Sequence, residues 1–191
     1  MIKKFELDLS SKITAWGMEL FRIRALISFG DVKKGDLGGY VEKEDNLSHS
    51  GNAWVSGDTW VTGDARVFGD AEVFGDAWVY GNAKVYGNAK VYGEARVYGE
   101  ARVCGDAVVS GDAVVSGNAK VSKLNDYIVF KNNWSSGRYF TYTRSNKMWR
   151  VGCFYGTGEE LVEKAYQDSE NSGKHYEAYV NLVKTLEKLE K

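Results

Sequence analysis

From Gly51 to Ser122 the apolar and polar positions recur every six residues without a break. The twelve hexapeptides open GNAWVS, GDTWVT, GDARVF and close GDAVVS, GDAVVS, GNAKVS. The first position is always Gly, and the second is Asp, Asn or Glu. The third is Ala except at Thr59, and the fifth is always Val. A short fixed period is the mark of a solenoid. Within Ala-x-Val-y, strand alternation sends Ala and Val to one side and x and y to the other. Small Ala and β-branched Val suit a narrow interior, and the variable residues meet solvent. Gly supplies the backbone freedom of a corner, where the adjacent Asp or Asn can hydrogen-bond the turning chain. Four strand residues plus a two-residue corner make one side of a prism. Three sides close a coil of about 18 residues, with coils stacked about 4.8 Å apart. The pattern therefore predicts a mainly β protein built on a parallel β-helix of four to five coils over residues 39–122.

The flanks follow other patterns. In residues 1–38, Phe5, Leu7 and Leu9 alternate, as do Phe21, Ile23, Ala25 and Ile27. Short strands there would form a cap over the exposed edge of the first coil. Arg22 and Arg24 would share a solvent face. Two imperfect hexads follow, Gly39–Glu44 and Asp45–Ser50, which set His49 on the inward, Val-like position. After Ser122, Tyr139–Arg144 and Lys147–Cys153 read as a hairpin turning at Ser145-Asn146. Thr157-Gly158-Glu159-Glu160 is a capping box that opens a helix to about Ser169. A second helix begins near Ser172, with Tyr176, Tyr179, Val180, Val183 and Leu186 on its apolar stripe. Residues 123–191 thus predict a small α+β (ββαα) module that seals the last coil.

Residues 18 apart should stack on one face, so the outward columns can be read directly. One face carries Arg66, Lys84, Arg102 and Lys120, a wholly basic column, beside Phe68, Tyr86, Cys104 and Ser122. A second carries Trp60, Trp78, Arg96 and Val114 beside Thr62, Tyr80, Tyr98 and Ser116. The third carries Trp54, Glu72, Lys90 and Val108 beside Ser56, Phe74, Tyr92 and Ser110. Phe68, Phe74, Tyr80, Tyr86, Tyr92 and Tyr98 form an aromatic belt two coils high. This belt has two readings. It is a stacking surface for bases, nucleotides or sugars with Arg and Lys on phosphate, or it combines ring ladders with a subunit interface. The basic column also has two: a ligand site, or a face neutralised by corner acids such as Asp64, Asp70 and Glu100. Residues 123–157 interleave Arg138, Arg144 and Arg150 with many aromatics, as single-strand nucleic-acid or nucleotide binders do. About half of those aromatics must form the module's own core.

The formal net charge of −1 gives no field drawing the molecule onto duplex DNA or an anionic membrane. No apolar run approaches the roughly 20 residues of a membrane span, and no signal-peptide core follows the first residues. Two cysteines, Cys104 and Cys153, suffice neither for a disulfide framework nor for a four-ligand zinc site. A cytoplasmic protein without metal or cofactor is expected.

The six-residue pattern resembles the left-handed β-helix of hexapeptide-repeat proteins, and the expected handedness comes from that resemblance. Residues Leu20–Leu26, Gly35–Glu42 and Asn46–Ser48 are also similar to the opening of a bacterial and prophage hexapeptide-repeat family whose members are often labelled acyltransferases. The C-terminal segment resembles those attached to such repeats in phage proteins. The resemblance implies homotrimers and, for the acyltransferases, a histidine base with a loop breaking out of the coils. The twelve hexads hold neither. Outward Cys104 has no histidine beside it there, His49 reads as a hydrogen-bonded structural residue, and His175 lies early in a helix. The expectation is a non-catalytic binding or scaffold protein, trimeric and phage- or prophage-encoded. It would sequester a host protein or nucleotide-type ligand in a counter-defence role. Its site residues would be Arg66, Lys84, Arg102, Lys120, Trp60, Trp78, Tyr80, Tyr86, Tyr98, Arg138, Arg144 and Arg150. Hexapeptide-type acyl transfer and structural assembly are the alternatives.

Overall fold

The computed structural model of the chain describes residues 2–189. The chain divides into two compact units, the first ending at Asp126 and the second starting at Tyr127. Residues 2–38 belong to the same unit as the repeats.

The first unit is a parallel β-solenoid. Every hexad contributes a two-residue strand, and strands 18 apart pair in parallel register, as in Arg66↔Lys84 and Arg102↔Lys120. Three walls result. The first runs from β3 (Leu37–Val41) through Trp60-Val61, Trp78-Val79 and Arg96-Val97 to Val114-Val115. The second holds Trp54-Val55, Glu72-Val73, Lys90-Val91 and Val108-Val109. The third holds Arg66-Val67, Lys84-Val85, Arg102-Val103 and Lys120-Val121, preceded by Leu47 bridged to Val67. Each coil's N–H groups donate to carbonyls of the next, as from Arg66 to Ala83 at 2.9 Å and from Phe68 to Val85 at 3.0 Å. The interior of the twelve hexads is Ala and Val except at the buried Thr59, with Ala83, Val85, Ala101 and Val103 all 0% exposed. Corners are held by glycines with positive φ. At Gly87 φ is +74°, and an added Cβ would stand 2.9 Å from the Gly105 nitrogen one coil on, so no other residue fits there without strain.

The first coil departs from the six-residue frame. Val41 pairs with Val61 and Leu47 with Val67, a step of twenty, whereas Val55 pairs with Val73. His49 and Ser50 are therefore a two-residue insertion at a corner. This corrects the expectation for His49, because Leu47 takes the inward place and is 2% exposed. The second imperfect hexad, Asp45–Ser50, lacks the Gly that would have marked the shift.

Each wall's N-terminal edge exposes carbonyls that no earlier coil pairs with, and each is closed differently. The first wall is continued by strands: β2 (Met18–Ala25) pairs antiparallel with β3, and β1 (Phe5–Ala15) with β2. On the third, the buried Asn46 amide donates to Gly63 O at 3.0 Å and Ala65 O at 2.9 Å, and Ser48 N–H to Val67 O. Before the second, the ammonium of Lys4, 1% exposed, donates to Gly51 O at 3.1 Å and Ala53 O at 2.7 Å. Burial pulls Lys4 down to about 8, partly opposed by Asp70. Arg22 and Arg24 are not simply solvated as expected. Arg22 meets Asp58 at 2.8 Å and lies over the Tyr40 ring, while Arg24 meets Asp8 at 2.7 Å.

The second unit is a four-stranded antiparallel sheet, Tyr127–Lys131, Tyr139–Thr143, Met148–Val151 and Phe154–Gly156, followed by α1 (Gly158–Asp168) and α2 (Glu170–Leu189). The expected hairpin forms its two central strands. The outer two carry no clean alternation and are not announced by the sequence pattern. Thr157 and Glu160 make the capping box. Phe140, Tyr142, Trp149 and Val151 pack against Leu161, Ala165, Tyr176, Val180 and Val183. Leu186 is 39% exposed and leaves the expected stripe. Among the described residues no helix is long and apolar enough to cross a membrane.

Candidate functional site: a bare cationic wall

Alternation turns x residues outward, and parallel pairing in register then stacks them. On the third wall, Arg66, Lys84, Arg102 and Lys120 line up as adjacent partners and are exposed. Like charges facing each other across neighbouring strands destabilise a sheet. The corner acid Asp64 relieves it only in part, because it is shared between Arg66 and Lys43. Asp64 pairs with Lys43 at 2.6 Å, and Lys43, with a smaller contribution from Arg66, holds its carboxyl below the usual range. Among the described residues Arg66, Lys84 and Arg102 make no ion pair.

The y residues beside this column form a ring ladder. Phe68 stacks on Tyr86 with centroids 4.8 Å apart and planes 2° from parallel. Below it Cys104 is buried at 6% exposure, not open as its outward position suggested. As hydrogen-bond partner it pushes the Tyr86 phenol up. Above Phe68 the same place on the first coil belongs to Ser48, whose N–H pairs with Val67 O. The ladder stops there, and a groove of about 650 Å³ opens over Phe68, lined also by Ser48, Leu47, Arg66, Lys84, His49, Glu44 and Asp45.

The inserted corner shapes the far end of this groove. His49 stacks on Phe5 with centroids 4.3 Å apart. Its Nδ1 accepts the Lys4 backbone N–H at 3.2 Å, and its Nε2 faces Glu44 Oε1 at 2.6 Å. An amide can only donate, so Nε2 carries the proton toward Glu44. The His49 contact and Lys3, 3.3 Å away, hold the Glu44 carboxyl below its usual range. Glu44, Ser48 and His49 escaped the sequence reading of the groove, although a hexad lacking its Gly was the available signal.

The other expected residues lie elsewhere. Trp60, Trp78, Tyr80 and Tyr98 are on the first wall. Trp60 and Trp78 stack at 5.2 Å and 5°, Arg96 lies 5.2 Å from the Trp78 ring, and Tyr80 stacks on Tyr98 at 4.6 Å. Trp16, at the tip of the β1–β2 hairpin with φ +50°, sets its ring against both tryptophans and completes an apolar groove of about 450 Å³. The Trp16-Gly17 pair between two alternating runs is a hairpin signal that could have located it. On the second wall Phe74 stacks on Tyr92, Lys90 meets Glu72 at 3.2 Å, and Trp54 is 8% exposed beneath Phe29. The aromatic belt is thus three ladders of paired rings. Arg138, Arg144 and Arg150 belong to the second unit. Arg138 is exposed, and Arg150 donates to Cys153 O at 3.3 Å. His175 bonds the Asn171 carbonyl of its own helix. No cluster able to hold a metal ion occurs among the described residues.

Residues 101–117 match the family model described as the YdcK beta-solenoid repeat. The match covers slightly less than one coil, from Ala101 to Gly117, and includes Arg102 of the basic column. It says what this stretch is similar to and agrees with the solenoid observed. None of the curated proteins matches the chain.

Proposed function

We propose that the protein is a non-catalytic binding protein whose third wall takes up a phosphate-bearing ligand. The observation that supports this reading is the stack of Arg66, Lys84 and Arg102 without ion-pair partners, beside a neighbouring wall where the same positions are neutralised by Glu72 and Lys90. Three cations held at strand spacing on a rigid frame suit a multivalent anion, with Arg66 and Arg102 offering planar forks and Lys84 a point charge. Calorimetric titration with inorganic tripolyphosphate tests it. Saturable binding is expected, and exchange of Arg66, Lys84 and Arg102 for Gln should abolish it while circular dichroism stays unchanged. Unaltered binding by that variant removes the column from the function.

The resemblance to prophage and phage proteins supports the biological side of the proposal, in which the ligand is a host nucleotide signal withheld from its receptor. A second reading, acyl transfer of the hexapeptide type, draws on the His49–Glu44 pair at the same groove. Both ring nitrogens are taken, one by the Lys4 amide and one by Glu44. Nδ1 spends its lone pair on the Lys4 N–H and Nε2 carries its proton toward Glu44, so the ring has no lone pair left to deprotonate an acceptor hydroxyl. Turnover of acetyl-coenzyme A would favour this second reading; tripolyphosphate binding without turnover favours the first.

A further inference from the structure

Resting on the anion-binding reading of the third wall, we infer that its ligand is a nucleotide whose base stacks on Phe68 as the missing rung of the Phe68–Tyr86 ladder. The ladder repeats at 4.8 Å with nearly parallel planes, so its next place is geometrically defined. Ser48 occupies that place on the first coil, and its short side chain leaves the groove above Phe68 unfilled. A flat ring fits such a gap by the same stacking that pairs Phe68 with Tyr86. The groove takes opposite charges from successive coils, acidic from the first and basic from the next two. Glu44 and Asp45 line its first-coil side, where carboxylates accept hydrogen bonds from sugar hydroxyls or an exocyclic amine. Arg66 and Lys84 line it from the next two coils, and Arg102 continues their column beyond it. A ligand with donors on a flat ring and phosphates trailing from it satisfies both sets of charges. A bare polyphosphate satisfies only one and would meet the carboxylates unfavourably. The volume of about 650 Å³ lies within the usual range for small-molecule sites.

Three probes separate the parts of this inference: ATP, tripolyphosphate and adenosine, each titrated calorimetrically into the full chain. ATP is expected to bind about tenfold or more tighter than tripolyphosphate, the contribution of one stacked base. Ser48→Tyr supplies the missing rung from the protein itself. It should bring ATP down to the affinity of tripolyphosphate and leave tripolyphosphate binding unchanged. Phe68→Leu should do the same by removing the platform, and it covers the case in which the larger side chain at position 48 disturbs the corner. Adenosine alone should bind weakly and lose that binding in both variants. Equal affinity for ATP and tripolyphosphate in the unmodified protein overturns the stacked base while the cationic wall stands. Failure of both ATP and tripolyphosphate to bind overturns the two readings together.

Discussion

Two walls of the same solenoid, built from the same hexad, treat charge in opposite ways. On the second wall the outward column reads Trp54, Glu72, Lys90, Val108; its two charges pair across one rung, and its tryptophan lies under Phe29. On the third wall the column reads Arg66, Lys84, Arg102, Lys120, and the corner acid Asp64 is shared between Arg66 and an ion pair with Lys43. The interior behind both is identical Ala and Val, fully buried. Backbone pairing is identical as well, so the repulsion on the third wall is not forced by the fold. A wall that keeps like charges in register gives up stability that its neighbour retains. The first wall shows another solution, covering its cation with a π-face, Arg96 over Trp78. The contrast is the observation on which the proposed anion-binding role of the third wall rests.

The walls also differ at their N-terminal edges, and here the largest effect is expected. Lys4 titrates near 8 in the folded chain against an ordinary 10.5. Between these values the unfolded chain binds more protons, so stability should rise as pH increases from about 8 to about 10.5, by up to about 3 kcal/mol. Lys4→Met should flatten that rise in denaturant titrations across the window, and it should cost stability at pH 7 by leaving Gly51 O and Ala53 O without a donor. An equal rise in both proteins would mean that Lys4 does not close the second wall.

Next in size is the first wall. Trp78→Ala removes a ring that meets Trp60, Trp16 and Arg96 at once, and a loss of about 2–3 kcal/mol is expected from urea unfolding. Binding of tripolyphosphate should survive it; loss of binding with the fold intact would move the site to the first wall.

Smaller and opposite in sign is Lys84→Glu. It converts the third wall to the alternating pattern of the second and should stabilise the protein by about 0.5–1 kcal/mol while eliminating anion binding. Destabilisation would show that the column's cations already have partners. The reverse change, Glu72→Lys, should cost about 0.5 kcal/mol and create two stacked cations on the second wall. Weak new affinity for tripolyphosphate there would show that stacked charge alone makes a site. Its absence would assign the rest of the affinity to the groove over Phe68.

The interior was legible because it is periodic. A residue repeated every six positions has only one neighbour pattern, so Arg66, Lys84 and Arg102 could be placed on one wall before any coordinates. The same logic paired Phe68 with Tyr86 and Tyr80 with Tyr98. It failed where the period failed. Two extra residues at the first corner moved His49 out of the inward column and put Leu47 there, since an insertion shifts the place of every residue before it in a frame read back from Gly51. Cys104 and Trp54 point outward as expected yet are buried, because neighbouring side chains cover them and no periodicity records that.

What the sequence determined by itself is the set of contacts between equivalent positions: the Ala and Val filling, the glycine corners, the cationic column and the ring ladders. These follow from local alternation and a constant step, both of which are written in the chain. What only the tertiary structure decided is how that regular frame ends. Lys4 and Asn46 reach across 47 and 17 residues to carbonyls at Gly51 and Gly63. Trp16 is brought to Trp60 by a hairpin, and Ser48 comes to lie one coil before Phe68. Such contacts join residues of unlike sequence at irregular separations, so no pattern in the chain announces them. The groove above Phe68 exists because periodic and non-periodic parts meet there.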